Sequence, residues 1–245
     1  EGLGTLVALH GAGLPVKLNT PVTAIDYSGE GVRVETSAGV IEAKACIVTV
    51  SVGVLAAGGV RFTPELPAEK QQALQDVPMG LLTKIALQFD GTKFGLSKNG
   101  FLSHAIPNDL PAEVCYFLTF PTGHPYAVGF VGGAFGWELS RAGEAAAVDF
   151  ALSEFVKSMG SDARKHFVKG HMSDWAINPR TLGAYSAAKP GKHASRLTLR
   201  EPLADRVFFA GEATSESYIA LCSGAHINGD KVGVQVAARL NAGCS

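Results

Sequence analysis

Charge is scarce in this 245-residue sequence. Asp, Glu, Lys and Arg together make up 18% of it, and 21 basic residues face 22 acidic ones with no block of one sign. A basic stripe of the kind that grips nucleic acid is missing. Apolar residues reach 47%, so the low charge does not signal disorder, which needs low hydrophobicity and high charge together. No apolar run approaches the roughly 18 residues of a membrane-spanning helix. Only four cysteines occur (Cys46, Cys115, Cys222 and Cys244), far apart and without a C-x-x-C pair. That spacing argues against a disulfide framework and for free thiols in a reducing compartment such as the cytoplasm. The seven histidines include His166 and His171 but no accompanying acid or cysteine cluster, so no metal site is expected. A 20–50-residue repeat and a Gly-X-Y period are both absent.

What the sequence has in excess is glycine, 29 residues with 12 prolines. Glycine serves tight turns and close backbone approaches. Residues 3–14 read as a short helix ending at Gly11 or Gly13, and Pro15–Leu18 as a strand, with Asn19-Thr20-Pro21 as a turn. Val22–Tyr27, Val32–Thr36 and Val40–Ala43, separated by Gly-containing turns, predict an antiparallel three-stranded meander. Ala45–Val50 is a continuous apolar run, as in a strand buried on both faces. A helix at Ala68–Gln75 is bracketed by Pro67 and Pro78. Leu81–Phe89 alternates, with Leu81, Thr83, Ile85, Leu87 and Phe89 on one face. Strands are expected at Val114–Phe120, Ala127–Gly132 and Phe167–Trp175, and a helix at Glu144–Met159.

Arg206–Ala210 is a short apolar strand, followed by a helix from about Gly224 to Leu240. Its stripe of Ala225, Gly229, Val232, Gly233, Val236 and Leu240 keeps a 3.6-residue period. Glycine costs roughly 1 kcal/mol per helix-interior position, so Gly229 and Gly233 point to a close approach by backbone or ligand. The pattern is mixed α/β and α+β: an outer domain in two pieces, residues 1–58 and 198–245, around an inserted domain at 59–197.

Longer blocks carry the reading further. Leu18-Asn19-Thr20-Pro21-Val22-Thr23-Ala24-Ile25-Asp26-Tyr27, Val48–Leu55 with Phe62–Pro67, Met79–Lys84, Trp175 followed by Ala184-Tyr185, and Phe208–Ser215 with Gly224-Ala225 occur in this order. Together they resemble the C-terminal half of the flavin-containing amine oxidases. The resemblance implies part of an FAD-binding Rossmann-like domain and an inserted substrate domain with a mixed or antiparallel sheet. It also implies oxidation of a C–N bond to an imine with production of hydrogen peroxide. Neither Gly2-Leu3-Gly4 nor Gly11-Ala12-Gly13 forms the G-x-G-x-x-G that grips the ADP half of FAD. That unit is expected on another polypeptide or on a removed segment, and the Met-less start at Glu1 reads as processed or artificial.

Residue roles follow from the resemblance. Lys84, on pattern alone a solvated strand lysine, would reach the flavin N5 through a water. Glu212 would accept bonds from ribose or ribityl hydroxyls, beside Gly211. Gly224 and Ala225 would offer a helix N-terminus to pyrophosphate or to the flavin ring, and Val22 would lie beside the cofactor. Trp175 would pack by the flavin, and Tyr185 would line the substrate side. Ala184 stands where some members carry a flavin-linking Cys, so FAD is expected to be non-covalent. Leu221 falls where many members place the second aromatic of an amine cage. That shifts the expected substrate from simple amines toward an amino acid or a bulkier amine. A desaturase or porphyrinogen-oxidase-like enzyme of the same fold, and a non-catalytic fragment needing a second chain, are the alternatives. A homodimer is left open.

Overall fold

The computed structural model describes residues 2–103 and 113–242. Helix α1 (Leu3–His10) ends at Gly11, as the glycines predict, but none of its residues is buried. Pro15–Leu18 is not a strand. The Val16 N–H turns back to the Leu14 carbonyl (2.8 Å), Leu18 is 78% exposed, and no strand among the described residues pairs with the segment. Asn19 has φ +53°, consistent with the expected turn.

The meander forms as β1 (Val22–Asp26), β2 (Val32–Thr36) and β3 (Gly39–Ala43), all antiparallel. Its first turn is closed by the Asp26 carboxylate, which accepts from the N–H and hydroxyl of Ser28 (2.9 and 2.7 Å). Those bonds hold the Asp26 carboxyl below its usual range. The Ala45–Val50 run condenses to β4 (Cys46–Val48), and Ile47 is 37% exposed rather than buried on both faces. Helix α2 (Val52–Ala56) is capped by the Ser51 hydroxyl, which accepts from Val54 N (3.1 Å). Strand β5 (Arg61–Thr63) joins β1 in parallel, giving a sheet of order β3-β2-β1-β5.

Helix α3 (Ala68–Asp76) follows Pro67 and leads into β6 (Met79–Gly80) and β7 (Leu82–Phe89). Leu81, Thr83, Ile85, Leu87 and Phe89 are all buried, as the alternation requires. Strands β8 (Gly100–Leu102), β9 (Tyr116–Thr119) and β10 (Tyr126–Gly132) precede α4 (Gly133–Ala142), α5 (Glu144–Met159) and β11 (Phe167–Met172). The expected strand at 167–175 thus stops at Met172, before Trp175.

An antiparallel sheet of order β11-β7-β10-β9-β8 results. Helix α5 covers one face of it, burying Ala147, Ala151 and Phe155 against Ile85, Phe89 and Phe117. Gly170 is dictated by this packing: a Cβ there would stand 2.4 Å from the Val148 side chain. In the same core, burial pushes the Cys115 thiol up to about 12. A thiol-alkylating reagent at pH 8 is therefore expected to modify exposed Cys222 and leave native Cys115 unreacted, as peptide mass mapping would show. Cys46, Cys115 and Cys222 are free, and Cys244 lies outside the described residues.

The chain closes through β12 (Tyr185–Ser186), α6 (Ser195–Arg200), β13 (Val207–Phe209) and α7 (Cys222–Ala242). Strand β13 pairs in parallel with β4, and β12 pairs antiparallel with β6. The architecture is mixed α/β, with parallel and antiparallel sheets. Helix α7 starts two residues before the expected Gly224, and Gly229 and Gly233 do not mark a tight contact within the chain. A Cβ at Gly229 or Gly233 would meet nothing within 4 Å, whereas one at Gly224 would overlap the Tyr218 carbonyl at 2.1 Å. Close approach occurs at the start of the helix instead of along its stripe.

Candidate active-site cleft

A cleft of about 340 Å³ opens where β13 and β4 end, which is where open α/β sheets characteristically receive ligands. Three distant stretches meet in it: Val48–Val52, Trp175 with Arg180, Thr181 and Gly183–Tyr185, and Phe209–Thr214, with Ala225 at the edge. Of the residues singled out from the sequence, Trp175, Tyr185, Gly211, Glu212 and Ala225 line this cleft.

The nine-and-ten spacing from Trp175 to Ala184 and Tyr185 has a local cause. The loop folds back on itself, Gly183 N–H and the Thr181 hydroxyl both donating to the Trp175 carbonyl (2.8 Å each). Gly183 sits at φ +147°, and a Cβ there would lie 2.4 Å from Met79 Cβ, so the turn admits only glycine. Ala184 N–H then bonds the Gly80 carbonyl (2.9 Å), which lays the Tyr185 ring over Gly80.

On the opposite wall, Asn228 of α7 accepts from Gly211 N–H (3.0 Å) and the Thr214 hydroxyl (2.8 Å), locking the turn after β13 to the helix. Glu212 is held from several sides. Its carboxylate accepts from Ser186 N–H (2.8 Å), the Ser186 hydroxyl (2.7 Å) and Ala220 N–H (2.9 Å). A carboxylate offers about four acceptor positions, so protein donors take most of them. The Ala225 N–H bonds the Leu221 carbonyl (3.2 Å) and belongs to the helix ladder.

Val22, Lys84, Leu221 and Gly224 are not among the cleft-lining residues. Val22 packs in β1 against Ile25 and its neighbours. Lys84 lies on the exposed side of β7, where its backbone exchanges hydrogen bonds with Ser173, two residues before Trp175 (Lys84 N to Ser173 Oγ 3.0 Å, Ser173 N to Lys84 O 2.9 Å). Leu221 is exposed beside the start of α7. No group of three or more His, Cys, Asp or Glu side chains among the described residues could hold a metal.

A sequence model of flavin-containing amine oxidoreductases matches residues 1–236. The chain belongs to the flavin-containing amine oxidoreductase family. It is 35% identical to Polyamine oxidase 4 of Oryza sativa subsp. japonica over 94% of its length and 46% of that protein. It is 34% identical to Polyamine oxidase 2 of Arabidopsis thaliana, over 89% of the chain and 44% of the relative. Similarity extends to Lysine-specific histone demethylase 2 of Homo sapiens, 27% identical over 97% of the chain and 30% of that protein. The chain thus spans about half the length of the polyamine oxidases it matches.

For a member of a flavin-containing family, the cleft has suitable properties for the ring end of the cofactor. Its walls are mostly apolar and carry Trp175 and Tyr185. At Gly211, φ is +142° and nothing lies within 4 Å of where a Cβ would stand, so a ligand can approach the backbone there.

Several lining or supporting residues were not singled out from the sequence: Lys70, Arg180, Thr181, Ser186 and Arg196. Lys70 had a readable signal. With Ala73, Leu74 and Val77 it occupies positions i, i+3, i+4 and i+7, the apolar stripe of α3. The Lys70 side chain follows that stripe inward, to 3% exposure.

Proposed function

We propose that this chain is the C-terminal part of an FAD-dependent amine or amino-acid oxidase. The observation that carries the reading is the cleft itself, in which Trp175, Tyr185, Gly211 and Glu212 converge from separate stretches of a chain belonging to this family. FAD, when bound, accepts a hydride equivalent from the carbon bearing the amine. Around it, the chain's own residues have four roles. Trp175 and Tyr185 orient the ring and substrate and exclude water. The apolar walls favour the uncharged amine over its ammonium form. Gly211 lets the ring approach the backbone. Lys84, outside the cleft lining on the exposed side of β7, would hold the water that meets the reduced cofactor. The imine product would hydrolyse in water, and the electron pair taken from the amine would pass to molecular oxygen from solution, giving hydrogen peroxide.

With alanine at position 184, the cofactor is bound without a covalent link. The pyrophosphate-gripping unit is supplied by sequence outside these 245 residues, since no G-x-G-x-x-G occurs within them. The polyamine oxidases among the relatives favour an amine as substrate. Leu221 in place of an aromatic favours a bulkier amine or an amino acid over a small arylamine.

Visible spectroscopy of the chain alone and with an added N-terminal FAD-binding half, combined with a peroxide assay across amines and L-amino acids, tests this. The expected result is a colourless, inactive chain that becomes yellow and produces peroxide when completed. A completed protein that holds FAD yet oxidises no amine would overturn it. In the active enzyme, Lys84→Met is expected to slow flavin reoxidation by oxygen at least tenfold while leaving FAD affinity unchanged, as stopped-flow measurement would show. Unchanged reoxidation would remove Lys84 from the mechanism and favour a desaturase-type reading.

A further inference from the structure

Behind the cleft wall lies a buried guanidinium that the chemistry above does not use. Arg196 on α6 is 3% exposed and belongs to none of the apolar cores. Its Nη1 donates to the Ser186 hydroxyl (2.6 Å) and to the Ala213 carbonyl (2.9 Å), and its Nη2 to the Ser186 carbonyl (3.2 Å). The Ser186 hydroxyl, accepting from Arg196, donates in turn to Glu212 Oε2 (2.7 Å), while Ser186 N–H donates to Oε1 (2.8 Å). Cation, hydroxyl and carboxylate therefore form a continuous chain in which each bond polarises the next. Ala220 N–H completes it from the other side, donating to Glu212 Oε2 (2.9 Å).

The ends of this chain share one property: each is a segment of the cleft or leads directly into it. Ser186 follows Tyr185. Ala213 lies in the turn after β13, and Ala220 immediately precedes the residues that open α7. A charge buried this deeply is costly unless it is paired. The negative partner is Glu212, reached through one hydroxyl, and its attraction offsets only part of the larger effect of burial on the guanidinium. Arg196 Nε has no hydrogen-bond partner, so the side chain is fixed entirely by its two terminal nitrogens and what they grip.

We propose that Arg196 is a positioning residue of the cleft: acting through Ser186, it fixes the Glu212 carboxylate and the strand carrying Tyr185, and so sets how tightly the flavin ring is held. The proposal rests on the reading that the cleft receives FAD. It assigns Glu212 the role of an internal strut for the cleft wall, in contrast to the ribityl acceptor implied by the resemblance.

The decisive variant is Ser186→Ala, which cuts the hydroxyl link with the smallest loss of volume. Arg196→Lys keeps a cation within reach of the same partners, and Arg196→Met removes it. The readouts, made on the FAD-loaded enzyme and its FAD-stripped form, are FAD affinity by fluorescence quenching, the fine structure of the visible flavin bands, and thermal unfolding without FAD. Ser186→Ala is expected to weaken FAD binding about tenfold and blur the flavin bands, beyond the loss of FAD-free stability that an unbridged buried guanidinium brings. Arg196→Met is expected to weaken binding further, and Arg196→Lys to recover part of the loss.

Wild-type affinity and band shape in Ser186→Ala would overturn the proposal while leaving the cleft reading intact. So would a loss of FAD-free stability with no change in the flavin bands. A wild-type enzyme that binds no FAD would instead overturn the cleft reading, and the proposal with it. If Arg196→Met does not fold, Ser186→Ala and Arg196→Lys still decide the matter.

Discussion

Lys70→Met is expected to lower the unfolding free energy by roughly 3 kcal/mol, the net of several unpaired carbonyls and a removed buried charge. The Lys70 ammonium donates to the carbonyls of Thr198 (2.8 Å), Leu199 (3.0 Å) and Glu201 (2.8 Å). These carbonyls end α6, where backbone acceptors lack intrahelical partners. The same nitrogen lies 4.2 Å from the centre of the Phe209 ring, a cation–π contact. Methionine fills the volume but offers no donor, so three acceptors are stranded. The desolvation cost of the ammonium is recovered and offsets part of the loss.

The pH dependence gives a second handle. Burial lowers the Lys70 pKa from 10.5 to about 8, against the raising influence of Glu201 and Glu69. Between these values the unfolded chain keeps a proton that the folded chain has released, so stability contributed by this group rises with pH across that window. Below about pH 8 both states are protonated and the contribution is flat. Chemical denaturation is therefore expected to show a larger gap between wild type and Lys70→Met at pH 9.5 than at pH 7.5, because wild type gains stability from this group with rising pH and the variant does not. An unchanged midpoint in the variant would show that water replaces the lysine without loss.

Gly224→Ala has the other large expected effect. The new Cβ would stand 2.1 Å from the Tyr218 carbonyl oxygen, 2.8 Å from its carbon and 3.0 Å from the Ser217 carbonyl oxygen. All three are backbone atoms, so no side chain can rotate away. The loop cannot yield freely either, because Ala220 is tied to Glu212 and the Ser215 hydroxyl donates to the Ser217 carbonyl (2.6 Å). Helix α7 is held from the other side by Asn228. Relief therefore requires the first turn of α7 to unwind or the cleft wall to move, at a cost of about 3 kcal/mol or more, the upper range for overpacking. For a chain of this size that corresponds to a fall in Tm of roughly 6–12 °C. Cofactor retention is expected to fall with it, whereas Gly229→Ala, with open space around its Cβ, is expected to be neutral or mildly stabilising. Circular dichroism melts of the two variants side by side provide the check.

Legibility in the sequence followed how local the determining forces are. The β1–β3 meander was readable because its turns are set by Ser28–Gly31 and Gly39, and β7 because its burial alternates over eight residues. Helix α5 begins and ends where its periodicity and flanking glycines place it. Pro15–Leu18 and Ala45–Val50 have the composition of strands, but a strand needs a neighbour, and composition does not supply one.

The site shows the same division. The Trp175–Tyr185 spacing was legible because one closed loop fixes it. Glu212 was found by position, but its partners were not, since Ser186 and Arg196 come together with it only through the packing of α6 against the turn after β13. Lys70 could have been found as a charge on an apolar stripe; what it caps could not.

The Ser51 hydroxyl faces two ways, accepting from Val54 N–H at the start of α2 and donating to the Thr181 carbonyl (2.6 Å) in the loop that carries Trp175. A single oxygen thus nucleates a five-residue helix and anchors a loop 130 positions away. Helices this short have little stability of their own. Opening of the Trp175 loop is therefore expected to expose the amides of α2 in the same event, so that hydrogen exchange would report the two segments as one cooperative unit.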